Sequence, residues 1–100
     1  MAHRTQLSQP DEGLRRAQAD DTVRRLVTEV ADYLTDRRPM DGFREASRLY
    51  LASAKSISDN AMDSDRAAEL LRALLAVMPT PYAGETRGEY ALRLRAAVRA

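Results

Sequence analysis

One hundred residues are enough chain for one hydrophobic core and not for two. Sixteen basic against fifteen acidic side chains leave a net charge of +1, which argues against the sequence-independent grip on DNA that neutralises many phosphates at once. Cysteine is absent, which removes disulfide scaffolds, thiolate metal sites and thiol nucleophiles and fits a reducing, cytoplasmic setting.

The aromatic residues are Tyr33, Phe43, Tyr50, Tyr82 and Tyr90, so the core must be mainly aliphatic. Lys55 is the only lysine, and with so much alanine the arginine excess reads as the codon usage of a GC-rich bacterial genome. Arginine richness alone is therefore discounted as a functional signal. The longest apolar run, Ala73 to Met78, falls far short of the ~20 residues that span a bilayer. The first residues hold no apolar segment of the secretory kind, so a cytoplasmic protein is expected. Residues 1–10 read as a flexible tail and 11–100 as one helical domain.

Apolar residues recur every three or four positions, which is a helical period. The first helix is expected from near Asp11, or from a cap at Asp20 to Thr22, as far as Asp36. Val23, Leu26, Val27, Val30 and Leu34 form its stripe, and Leu14 and Ala17 extend it toward the N-terminus. Pro39 ends it, because a residue before proline is pushed out of the right-handed helical region.

Asp41 is the expected N-cap of a second helix running from Gly42 to about Ser58. Phe43, Ala46, Tyr50, Ala54 and Ile57 share one side of its wheel and are expected to face the core, with Leu49 widening that stripe. Leu51 then falls on the outer flank beside Arg44 and Lys55.

The third helix, Ser64 to Met78, is the most apolar and is expected at the centre of the core. Asp63 suits its N-cap, with Asp65 favoured by the positive end of the helix dipole. The acids from Asp59 to Asp65 are not a calcium loop. In either register the required glycine and glutamate positions hold other residues.

Pro79, Pro81 and Gly84 then build a rigid corner, with a peptide-gripping loop around Tyr82 and Tyr90 as the alternative. Thr86 and Glu89 have the spacing of a capping box. The last helix runs from about Arg87 to Arg99, burying Tyr90, Ala91, Leu94, Ala97 and Val98 and presenting four arginines against the single acid Glu89.

These elements predict an all-α fold, a compact antiparallel bundle of three long helices and a shorter C-terminal one. Catalytic signatures are missing. The one histidine, His3, has no second histidine or cysteine to share a metal, the serines of helix two have no base, and no phosphate-binding glycine loop occurs. Neither an enzyme nor a cofactor, small-molecule ligand or metal is expected. The reading is a small interaction or regulatory module that binds another protein or itself, as a homodimer, through helices two and four. Leu51, Leu92, Arg95, Arg99 and Tyr82 are the expected partner contacts, leucine beside arginine being the composition of an interface core with a charged rim. The alternative is a nucleic-acid-binding regulator that uses the arginines of helix four.

Overall fold

The computed structural model describes residues 21–99, so the expected tail at 1–10 and the start of the first helix lie outside them. Helices α1 (21–36), α2 (Glu45–Asp59), α3 (Ser64–Val77) and α4 (Arg87–Arg99) account for the regular structure, with no strand among the described residues.

Helix α1 stops at Asp36, and Arg38 sits just before Pro39 with φ 53. Proline does expel its predecessor from the right-handed helix, here into the left-handed region. The chain then does not enter α2 at Gly42. Segment 39–43 instead pairs with segment 85–88: Phe43 N donates to Glu85 O, Arg87 N to Asp41 O and Gly88 N to Pro39 O, each at 2.8 Å. Gly42 and Thr86 form an isolated antiparallel bridge. Asp41 is therefore not a helix cap, because its carbonyl is committed to Arg87. Helix α2 begins only at Glu45, after an extended Arg44 that makes no side-chain cap.

Helix α1 lies antiparallel to α2. Arg25 donates to Asp59 at 3.0 Å and Lys55 to Glu29 at 2.8 Å, so the start of one helix meets the end of the other. Helix α3 returns along α2 after a short turn, its N-terminus capped as expected by the Asp63 side chain accepting from Arg66 N at 3.1 Å. Helix α4 closes against α1, with Arg95 donating to Asp32 (2.7 Å) and Thr35 (3.0 Å).

The centre of the core is α1, not α3. Val23, Leu26, Val27, Val30, Ala31 and Leu34 are all buried, whereas the only buried residue within α3 is Leu74, joined by Met78 at its end. Burying one such aliphatic side chain stabilises the fold by about 1.5–3 kcal/mol. Leu70, Leu71, Leu75 and Val77 pack against the core but keep part of their surface in water. The expected stripe on α3 was broader than the surfaces available to cover it.

Helix α2 reverses its expected orientation. Phe43, ahead of the helix, is buried, but Ala46, Tyr50, Ala54 and Ile57 face solvent, and Leu49 is 43% exposed. The residues turned inward are Ala52 and Ser56, with Leu51 packed partly against the core. Polar anchors fix this rotation. Arg48 donates to the carbonyls of Leu75 (2.9 Å) and Met78 (3.0 Å), at the end of α3 where helical carbonyls lack intrahelical partners. On the next side, Lys55 holds Glu29 of α1. Ser56 returns its hydroxyl to Ala52 O at 2.8 Å, so a small and satisfied side chain meets the core. Turning α2 over would break the Arg48 and Lys55 contacts together.

Candidate functional site

Two surfaces stand out: the corner before α4, which holds Tyr82, and the outer side of α2. The corner is built around Glu85, which is 6% exposed. Its carboxylate accepts from Tyr82 N at 2.9 Å and from Arg93 at 2.6 Å. The Arg93 guanidinium also lies over the Tyr82 ring, 3.8 Å from its centroid, and donates to Thr80 O at 3.3 Å. The Glu85 hydrogen bond holds Arg93 above its ordinary pKa. Beneath this lid, Tyr90 stacks on Phe43 at 4.2 Å and donates its hydroxyl to Pro79 O at 2.6 Å. Burial pushes the Tyr90 phenol up to about 12.

Gly84, with φ 78, supplies the left-handed residue that lets the chain turn back to Glu85. The capping box is present in both directions. Thr86 N donates to Glu89 Oε1 at 2.8 Å, and Glu89 N to Thr86 Oγ1 at 3.1 Å. These bonds to Thr86 hold the Glu89 carboxyl below its usual range. Gly88 N reaches Pro39 O at 2.8 Å, an approach so close that a Cβ added at Gly88 would stand 3.2 Å from that same oxygen. The corner is thus a rigid joint.

Of the expected contact residues, Leu92 is 67% and Tyr82 66% exposed, and Arg99 is exposed near the end of α4. Leu51 is not on an outer flank, because the rotation of α2 carries it inward against the core. Arg95 is half-buried and bonded to α1. The remaining α4 arginines are also engaged: Arg93 with Glu85, and Arg87 donating to Arg37 O at 2.9 Å beside the Tyr33 ring. A free row of cations along α4 does not exist. Glu85 is the acid buried in the joint, and its signal lay in Arg93, eight residues on.

The sequence reading put the exposed flank of α2 at Leu51 and missed the side that carries Tyr50 and Ile57. Tyr50 is 71% and Ile57 61% exposed, and with Ala46 and Ala54 they make a stripe over three turns. No charged residue interrupts that stripe. The charges of α2 lie elsewhere on the helix, Glu45 on Arg48, Lys55 on Glu29 and Asp59 on Arg25. Lys55 holds the Glu29 carboxyl below its usual range. Beside Ile57 a groove of about 300 Å³ runs between α2 and α3, lined by Ser53, Ala61, Ala67, Ala68 and Leu71. Among the described residues no three potential metal ligands come together, and no helix is long and apolar enough to cross a membrane.

No family model matches the chain, and neither the curated proteins nor the solved structures yield a significant match.

Proposed function

We propose that this protein is a non-enzymatic interaction module that docks a protein partner on the outer face of α2 and its groove with α3. The observation that carries the reading is the uncharged stripe with Tyr50 and Ile57 more than half exposed. A monomer scatters single apolar residues over its surface, whereas a contiguous apolar face marks an interaction site. Tyrosine is also among the residues that dominate interface energetics. Leu92 and Ala96 on α4 form a smaller exposed patch, a secondary contact at most. The nucleic-acid reading gains no support from α4, whose arginines mostly bond within the chain.

The test is a photo-crosslinking amino acid placed at position 50 in the expressing cell, with Thr28 on the exposed side of α1 as control. Covalent adducts from position 50 and none from position 28 are expected. No adduct from position 50, or equal adducts from both, sinks the reading.

A further inference from the structure

We infer that Arg37 and Arg87, gathered at the Tyr33 ring, form a binding site for a phosphate monoester with a compact apolar substituent. The inference goes beyond the docking reading, because this site lies at the end of α1 and not on the outer stripe of α2. Three features argue for it.

The first is uncompensated charge. Both guanidinium carbons lie 5.4 Å from the centroid of the Tyr33 ring, so they stand no more than twice that distance apart. Arg25, Arg38, Arg48, Arg66, Arg93 and Arg95 each meet a carboxylate. Arg37 and Arg87 meet none among the described residues. The acids nearest in sequence do not serve them, since Asp41 pairs with Arg38 and Asp36 forms no ion pair. A ring face attracts a guanidinium without cancelling its charge. Two neighbouring positive charges are matched by a dianion, and a phosphate monoester carries close to two negative charges at neutral pH. A single carboxylate would leave one charge unmet.

The second is preorganisation. Arg87 N donates to Asp41 O at 2.8 Å and its Nε to Arg37 O at 2.9 Å, so the residue is pinned at both ends. Its terminal NH2 groups, and the whole Arg37 guanidinium, make no hydrogen bond among the described residues. Guanidinium forks suit bidentate contact with phosphate oxygens, and a fork already held in place loses little freedom on binding.

The third is the neighbouring hollow. Tyr33, 43% exposed, also lines a cavity of about 210 Å³ between α1 and α2, with Val30, Leu51 and Lys55 as its other walls. The Lys55 ammonium is bonded to Glu29, so this hollow offers mainly apolar surface beside the two arginines. Small-molecule sites combine such walls with a few placed polar groups.

Phenyl phosphate is the probe, titrated into the full chain at constant ionic strength while NMR follows the arginine Nε–H signals. Those of Arg37 and Arg87 are expected to move together and saturate at roughly millimolar ligand, with Arg72 unmoved. Arg37→Gln, at an exposed side chain without a hydrogen bond, is expected to weaken binding about three- to tenfold, and Arg87→Gln at least as much. Arg72→Gln, the same loss of charge on α3, is expected to leave binding unchanged. Inorganic phosphate, which leaves the hollow empty, and benzoate, which carries one charge, are each expected to bind at least about threefold more weakly than phenyl phosphate.

No movement of the two signals, or equal weakening by Arg37→Gln and Arg72→Gln, overturns the site. Benzoate matching phenyl phosphate overturns the choice of a dianion, and inorganic phosphate matching it overturns the role of the hollow. Displacement of phenyl phosphate by a phosphotyrosine peptide assigns the ester to a partner protein, and failure to displace assigns it to a free small molecule. None of these outcomes depends on crosslinking at position 50.

Discussion

Phe43 with Tyr90, and Tyr50 with Ile57, are bulky apolar pairs with opposite fates. The first pair is at most 2% exposed, and the second is more than half in water. At the corner, backbone groups from two distant segments find each other, and the rings fill the space beneath. Along α2 the hydrogen bonds go to the other side of the helix, through Arg48 and Lys55, and the apolar stripe is left outside. Hydropathy ranks side chains, but the position of polar anchors decides which side of a helix is covered.

Breaking the corner should show the largest effect. Tyr90→Ala removes a buried ring stacked on Phe43 and is expected to cost about 3–5 kcal/mol in urea unfolding. Tyr90→Phe keeps the ring and loses the bond to Pro79 O, about 1 kcal/mol. The same phenol gives an alkaline signature. Its folded pKa of about 12 lies above the ordinary 10.0, so its contribution is complete below pH 10 and falls as the pH rises toward 12. Ultraviolet titration should find one tyrosine ionising last, and Tyr90→Phe should abolish that step.

Next in size is Glu85→Ala, which strips Arg93 and Tyr82 N of their acceptor. Because the Arg93 side chain is 27% exposed, water replaces part of the loss, and about 1–3 kcal/mol is expected by thermal unfolding. Thr86→Ala removes the cap of α4 and should cost about 1 kcal/mol.

The acid side of the pH profile has the opposite sign from the phenol. Glu29 and Glu89 are held below the ordinary 4.5, so their contributions are present above that value and fade as the pH falls through their folded values. Glu89→Gln, which can still accept from Thr86 N, should flatten that acid limb while leaving the helix capped.

The smallest effect belongs to the outer side of α2. Tyr50→Ser and Ile57→Ser should change the unfolding energy of the single chain by no more than about 0.5 kcal/mol. A much larger loss in dilute solution would show that the face is covered within one molecule, and the contrast between the two regions would disappear.

What was legible in the sequence was whatever neighbouring residues decide. The helical period, the Asp63 cap, the Thr86–Glu89 box and the stop before Pro39 depend on residues within a few positions of each other. The start of α2 was not legible, because Asp41 and Phe43 bond to residues more than forty positions away. The rotation of α2 escaped for a related reason. Its wheel shows where the apolar stripe lies, and nothing local says that Arg48 will reach the end of α3. Of the expected contacts, Leu92 stands in solvent because it lies across α4 from the buried Leu94, and Tyr82 stands in solvent at the corner beside the Arg93 guanidinium. Leu51 was misplaced by the same error that hid Tyr50.

The pairing of segments 39–43 and 85–88 also governs how the molecule opens. The amides of Phe43, Arg87 and Gly88 are clasped between the middle of the chain and its last helix. Helix α4 cannot peel away as a frayed terminus without first undoing the entry to α2. In deuterium exchange these three protons should be replaced together, at the rate of whole-molecule unfolding.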